Sequence, residues 1–385
     1  MSSTQSISLY IHFPFCLKKC LYCDFNSLAG SRIAAEEYVT AVVREMELRA
    51  ERLDSPATAP TLYFGGGTPS LMEPPLVARL IEAAQRLFGL AADAEVTIEA
   101  NPGTLTAGKL AGYRAAGVNR LSLGVQSFSD EMLVLLGRVH TARQALDSFM
   151  AAREVGFDNI GIDLIHSLPG ETPADWRDEL IRAIDLRPEH ISAYGLTVEE
   201  GTPFHRMERE GRLHLPDEEV GAAMFRETGE FLEWAGYEHY EISNFALPGF
   251  RSRHNQVYWR RGNCLGFGAG AHSFLRAPAF GSRWRNALSP ESYLRAVASS
   301  TLPEEELTFL TERDAMAEFF FLGLRMLDGV EPAEFRREFG CTVADAYPGE
   351  VERLAAEGLI ECHGGFLRLS RRGVCLANQV FMRFI

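Results

Sequence analysis

Three cysteines carry the most specific chemistry in this chain. Cys16-Leu-Lys-Lys-Cys20-Leu-Tyr-Cys23 is a C-x3-C-x2-C run placed directly after a strand-like stretch. Thiols this close can wrap one metal centre from a single loop. Thiolate donors suit zinc or iron–sulfur clusters. Structural zinc takes four ligands, and no second C-x2-C or H-x3-H follows. A [4Fe–4S] cube held by three cysteines leaves one iron open to a small molecule. Zinc with a fourth ligand from elsewhere is the lesser alternative. Three unconnected thiols are the bland one, disfavoured by the tight spacing. Lys18 and Lys19 are expected to lower the neighbouring thiol pKa values and favour the thiolate.

Other polar residues stand where a ligand could meet them. Gly65-Gly66-Gly67-Thr68-Pro69 puts open backbone N–H groups just past a strand. It lacks the G-K-[S/T] ending of a phosphate loop. Glu99 ends an apolar strand, where a carboxylate can accept from hydroxyls or offset a positive charge; alone, it reads as a solvated strand end. Gln126, Arg138 and Asp163 fall at the inner ends of strands or helices. The Arg138 fork suits a carboxylate, with a surface ion pair to Asp130 or Glu131 as the alternative.

Those residues need elements to gather them. Short β-branched or aromatic runs occur at 8–13, 61–64, 95–100, 120–125, 160–165 and 190–196. Amphipathic stretches at 34–52, 75–88, 106–115, 129–136 with 142–155, and 173–185 separate them. Strand–helix repetition predicts a parallel sheet with crossover helices. Six such units fit an α/β fold of the partial (β/α)6 barrel type; a doubly wound sheet is the competing arrangement. The polar signals follow the strands, so a barrel would bring them to one face. After Thr197 the rhythm breaks. A helix at 217–234, an aromatic and Arg-dotted stretch at 237–259 and a glycine-rich stretch at 262–274 come next. Helices at 312–327, 332–339 and 349–357 then lead to a Gly-turned hairpin near 366–369, an α+β, winged-helix-like pattern. The expected units are 1–235, 236–310 and 311–385. Met326, Met382 and Phe319-Phe320-Phe321 read as core, and Cys264, Cys341, Cys362 and Cys375 as small buried hydrophobes.

Composition narrows the class. The chain has 385 residues and a net charge of −14, which argues against a general nucleic-acid binder. No run of about 18 apolar residues exists to span a membrane. Met1–Gln5 is polar and lacks the features of a secretory signal. The expectation is a cytoplasmic protein, with peripheral membrane association through a partner as an extension of it.

The cysteine run, with Tyr22 before its last cysteine, resembles the radical S-adenosylmethionine (SAM) superfamily. The resemblance implies a triose-phosphate-isomerase-type partial barrel, a [4Fe–4S] cluster on Cys16, Cys20 and Cys23, and SAM on the open iron, whose reductive cleavage yields a 5′-deoxyadenosyl radical. Ser8-Leu-Tyr-Ile-His-Phe-Pro-Phe-Cys16, Tyr63-Phe-Gly-Gly-Gly-Thr-Pro69, Glu99-Ala-Asn-Pro102, Leu123-Gly-Val-Gln-Ser127, Gly137-Arg-Val-His140 and Ile162-Asp-Leu-Ile165 are similar to the oxygen-independent coproporphyrinogen oxidases and their HemW relatives. That likeness implies Tyr10, Gly66 and Glu99 as contacts of one SAM. It implies Tyr22, Gly67, Thr68, Gln126, Arg138 and Asp163 as contacts of a second.

Two departures from the oxidases point to the chaperone branch. The oxidases carry a fourth cysteine two positions after the third, where this chain has Cys23-Asp24-Phe25. Only fifteen residues precede Cys16, so their long N-terminal extension is not seen. His254-Asn-Gln-Val-Tyr-Trp259 resembles the H-N-x-x-Y-W motif of HemW-type haem chaperones. Histidine ligates haem iron, Tyr258 and Trp259 offer flat apolar surface, and Arg251, Arg253, Arg260 and Arg261 suit propionates. A satisfied core histidine is the alternative for His254. His12, His140 and His166 are unassigned, any of them a candidate second ligand. The resemblance implies a chaperone that binds haem and passes it to an acceptor protein, with a homodimer compatible. A coproporphyrinogen III oxidase or another radical SAM enzyme is the alternative. Whether the chain turns over substrate as an enzyme is left open.

Overall fold

A computed structural model describes residues 4–385; of the polar N-terminus, residues 1–3 lie outside the described residues. Six parallel strands form at Ser8–Phe13 (β1), Ala57–Gly66 (β2), Leu90–Ala100 (β3), Arg120–Gln126 (β4), Ile160–His166 (β5) and His190–Gly195 (β6). They pair in chain order, each with the next. A doubly wound sheet reverses its order at a switch point. No reversal occurs along these six, so the crossovers turn one way and the helices cover one face. The curved, partial-barrel arrangement is therefore the one adopted.

The crossovers carry Ala35–Ala50 (α1), Pro74–Phe88 (α2), Ala107–Ala116 (α3), Asp130–Leu136 (α4), Ala142–Glu154 (α5) and Pro173–Asp185 (α6). Thr141 with Gln144, and Thr172 with Asp175, close capping boxes that start α5 and α6. Each satisfies N–H groups that the first turn leaves free. Outward strand residues such as Leu9, Ile11, Leu62, Phe64, Leu121 and Ile162 pack with Tyr38, Val42, Leu80 and Phe149 of these helices. Each such buried side chain contributes about 1.5–3 kcal/mol. Because strand side chains alternate, the residues between them face the lumen. Those are Tyr10, Tyr63, Thr97, Glu99, Arg120, Ser122, Asp163, His190 and Ser192. Closed (β/α)8 barrels fill this space with branched apolar layers; here the lumen is polar.

The sheet runs on past the six strands. Glu238–Glu241 (β7) and Asn244–Ala246 (β8) extend it antiparallel from β6. Cys264–Phe267 (β9) pairs in parallel with β1, and His272–Leu275 (β10), Ser282–Asn286 (β11) and Glu304–Phe309 (β12) continue from it. The stretch at 262–274, read only as glycine-rich, thus supplies two strands. Residues 236–310 also share the first core through Phe245, Leu265, Trp284 and Tyr293. Helices Pro203–Arg209 (α7), Glu218–Trp234 (α8), Arg253–Trp259 (α9) and Pro290–Ala298 (α10) complete this part.

Glu312–Gly323 (α11), Pro332–Phe339 (α12), Val343–Ala346 (α13), Glu350–Ala356 (α14) and the hairpin Ile360–His363 (β13) with Phe366–Leu369 (β14) build a second core around Phe319, Phe320, Phe335 and Leu354. It is tied to the first part by Arg261, 3% exposed, which pairs with Glu318 and Glu338. Two expectations need correction. Met382 is 66% exposed, because Phe381 and Phe384 take the neighbouring core positions. Of the four cysteines only Cys264 is buried as expected; Cys341 and Cys375 are half-buried and Cys362 is exposed, near the Gly364-Gly365 turn of the hairpin.

Candidate functional site

The cysteine loop is held over the C-terminal ends of the strands. Phe15–Cys16 pairs with Leu28–Ala29. Leu21 N–H donates to Leu136 O at 3.0 Å, and Phe204 N–H to Leu21 O at 3.0 Å. Cys16, Cys20 and Cys23 are all half-buried and line one cavity of about 430 Å³. Thr68 Oγ1 donates to Cys16 Sγ at 3.4 Å, and Arg138 Nη1 to Cys20 Sγ at 3.4 Å. Both sulfurs thus already accept a hydrogen bond from the cavity wall. The expected effect of the lysines is corrected at Cys23. Burial pushes that thiol up, outweighing a backbone hydrogen bond from Phe25 and the opposing Lys19 charge; Lys19 Nζ itself donates to Phe25 O at 3.0 Å.

Eight of the nine residues expected around SAM line this cavity: Tyr22, Gly66, Gly67, Thr68, Glu99, Gln126, Arg138 and Asp163. Gly66 has φ +111°, and a Cβ there would come within 2.6 Å of His12. Only glycine fits, and its N–H donates to Glu99 Oε2 at 3.2 Å. Tyr63 OH donates to Glu99 Oε1 at 2.8 Å. Burial pushes the Glu99 carboxyl up to about 7; the Tyr63 bond opposes this and the Asp163 charge adds to it. Burial likewise raises Asp163, which accepts from Ser122 Oγ at 3.1 Å. Arg138 Nη2 donates to Gly124 O at 2.8 Å, so this arginine serves the cavity and not a surface pair with Asp130 or Glu131. Gln126 takes φ +68° and Ser167 φ +60°, strained positions for residues with a Cβ, of the kind that gather at functional sites.

Tyr10 stands apart from its expected companions. Its ring stacks behind Tyr63, centroids 6.1 Å apart, and its hydroxyl meets His12 Nδ1 at 3.0 Å. Residues that sequence reasoning missed also line the cavity: Tyr63, Arg120, Ser122, His190, Ser192, Tyr194, Glu199 and Asn255. Alternation along β2, β4 and β6 carries the signal that could have found most of them.

The His254 motif lies at the opposite end of the lumen. It forms α9, where Arg253 N–H and His254 N–H donate to the Glu95 carboxylate at 3.0 and 2.9 Å. His254 is 1% exposed. Its Nδ1 meets Thr61 Oγ1 at 2.7 Å and its Nε2 meets Tyr258 OH at 2.8 Å. Burial lowers its pKa to about 3. In this conformation both ring nitrogens are occupied. Of the expected basic cluster, the Arg260 side chain meets only Gln256 among the described residues, at 3.2 Å, and the other three arginines are already paired with carboxylates. Arg251 pairs with Glu238 and Asp328, Arg253 with Asp93, and Arg261 with Glu318 and Glu338. Trp259 lies under the Arg325 guanidinium, 4.2 Å from ring centroid to Cζ. His12 and His140 also have both nitrogens bonded. His166 Nε2 has no partner but is buried.

The donor set fits a cluster with an open corner. Three thiols on one loop face a cavity rich in hydrogen-bonding groups, and two sulfurs already accept hydrogen bonds. Among the described residues no three His, Cys, Asp or Glu side chains converge on one ion position; cube ligands need not, since each sulfur serves a different iron.

The parallel strands and their cysteine-headed lumen define a radical SAM protein. Residues 10–183 match the radical SAM superfamily and residues 310–376 the HemN C-terminal domain. The chain belongs to the HemW family of that superfamily. It is 37% identical to "Heme chaperone HemW" of Bacillus subtilis over 98% of this chain and 99% of that one. It is 34% identical to the bovine "Radical S-adenosyl methionine domain-containing protein 1, mitochondrial" over 99% of this chain and 88% of that one. Its structure is similar to that of the Escherichia coli coproporphyrinogen III oxidase HemN, with a TM-score of 0.83 and 25% identity over 99% of this chain and 90% of that one. Superfamily membership implies a [4Fe–4S] cluster and SAM. No helix among the described residues is long and apolar enough to cross a membrane.

Proposed function

We propose that this chain is a haem chaperone: it binds haem and hands it to an acceptor protein. The observation that carries the reading is continuous likeness, along nearly the whole chain, to proteins named haem chaperones, in a chain lacking the oxidase's fourth cysteine. Cys16, Cys20 and Cys23 would hold the cluster. The cluster supplies an open iron for SAM and a source of single electrons. Glu99, held by Tyr63 and Gly66, would accept from ribose hydroxyls and offset the sulfonium. Gly67 and Thr68 would bring backbone and hydroxyl to the second SAM. Gln126, Arg138 and Asp163, with Tyr22, would line the second SAM position, where the Arg138 fork suits a carboxylate. Tyr10 would act from behind Tyr63, through the stacked ring. His254 would reach haem iron only after Tyr258 releases Nε2 and α9 shifts from the sheet. Of the units 1–235, 236–310 and 311–385, the first would hold cluster and SAM and the middle one would carry the haem ligand.

The HemN likeness favours one rival, coproporphyrinogen III oxidation. Two assays on cluster-reconstituted protein separate them. Haem titration should give a saturable Soret shift, weakened in His254→Gln. Coproporphyrinogen III with SAM and reductant should give no protoporphyrinogen. Product at a catalytic rate, or no haem binding, overturns the reading.

A further inference from the structure

The lumen does not end at the SAM-facing residues. It continues toward the N-terminal ends of the strands, where α9 closes it and Asn255 contributes to the wall. At this depth Thr97, Arg120, Gly161 and His190 stand on four adjacent strands. Thr97 is paired with Arg120, and Gly161 with His190. Arg120 is 2% exposed and His190 1%. Thr97 Oγ1, Arg120 Nε and His190 Nδ1 are all buried without a hydrogen-bond partner. Gly161 adds no side chain, and the missing Cβ marks a specific place. Built there, it would lie 3.5 Å from His190 Nδ1 and 3.6 Å from Arg120 Nη2. Two unpartnered nitrogen groups therefore flank one gap.

The proton arrangement makes both of them donors. Tyr240 OH accepts from Ser252 N–H at 3.3 Å. Its own proton is then free to go to His190 Nε2, 2.8 Å away. In the tautomer where Tyr240 OH donates to Nε2, the neutral imidazole carries its hydrogen on Nδ1, and burial keeps the ring neutral. Arginine cannot shed its charge. A buried cation without a partner is strongly disfavoured. Among the described residues Arg120 makes no salt bridge; the Asp163 carboxylate feels its charge from a distance but takes its hydrogen bond from Ser122. Leu121 O also lies 3.5 Å from the place of the missing Cβ; one neutral carbonyl does not offset a fixed positive charge and an added N–H, and such a site suits an anion.

We infer that the lumen floor binds one carboxylate-sized anion, held between Arg120 and His190 Nδ1 in the space that Gly161 leaves open. The guanidinium fork gives it directed hydrogen bonds as well as charge. The occupant is either the carboxylate end of a molecule lying in the lumen or a small free carboxylate. This inference needs neither haem nor an acceptor, so it can fail while the chaperone reading stands, and the reverse.

The test is equilibrium dialysis of carbon-14 formate against the full-length, cluster-reconstituted protein. Saturable binding at one site is expected, weakened about tenfold or more in Arg120→Gln, where a charge-assisted bond is lost. Gly161→Ala guards against misfolding of that variant. Its added methyl makes only ordinary contacts at 3.5 and 3.6 Å, so the fold should survive while the gap fills and formate binding falls. If saturating SAM displaces the formate, the site serves the carboxylate end of a lumen ligand. If formate stays bound beside SAM, the site serves a free anion. Absence of saturable binding, or equal binding by wild type and both variants, overturns the inference and leaves water as the partner of these groups.

Discussion

Replacing Glu99 by glutamine should strengthen the fold and weaken the SAM site together. The Glu99 carboxyl is pushed up to about 7 from 4.5, chiefly by burial. A difference of that size corresponds to about 3 kcal/mol between the two protonation states. The side chain faces a cavity that water can enter, so about 1–2 kcal/mol is the better figure. Its folded pKa lies above the unfolded one. Folding thus favours the neutral carboxyl, and stability is fully present below about pH 4.5 and lost as pH rises through about 7. Glutamine is neutral throughout and can still accept from Gly66 N–H while its amide meets the Tyr63 hydroxyl. Urea unfolding without SAM should show Glu99→Gln more stable than wild type by about 1–2 kcal/mol at pH 8, and little different at pH 4.5. Equilibrium dialysis should show weaker SAM binding by the same variant, because the sulfonium loses its counter-charge. A variant that is less stable at pH 8, or whose difference from wild type is the same at both pH values, would refute the reasoning.

The other expectations concern neighbouring parts of the molecule. Tyr63→Phe removes the hydroxyl that holds Glu99 and should weaken SAM binding about tenfold, read by the same dialysis. Serine at Cys16, Cys20 or Cys23 should each abolish the brown chromophore after anaerobic reconstitution, measured by visible absorption and iron content. His254→Ala leaves a cavity and two unpaired partners and should cost about 3 kcal/mol in urea unfolding. Because the folded His254 pKa is depressed to about 3, its buried neutral ring contributes stability above about pH 6.5 that is lost as pH falls toward 3. Arg261→Ala leaves Glu318 with the half-exposed Arg283 as its remaining cation and should cost about 1–3 kcal/mol, seen as faster proteolysis near α11.

The barrel and its cysteine loop were legible because their signals are local. Period-two and period-3.6 patterns mark β1–β6 and α1–α6 without reference to anything distant. The C-x3-C-x2-C spacing confines its ligands to one loop, and Gly66, Glu99 and Gln126 each stand at the end of a strand. The stretch containing β9 and β10 was not legible, since glycine removes the side chains that carry a pattern. Burial was misread at Met382 and Cys362, because hydrophobicity says that a residue can be buried and not that a neighbour leaves it room.

Residue order alone determined that six strands would alternate with helices and that three thiols would share a loop. Both follow from interactions within a few residues. What the His254 motif and its arginines touch was decided only in three dimensions. Thr61, Glu95, Asp93 and Glu318 lie far from them along the chain, and only the folded sheet brings those partners into hydrogen-bonding reach. The same holds for Arg120, Gly161 and His190. No spacing links them, yet parallel pairing sets them side by side, facing a space that one missing side chain keeps open.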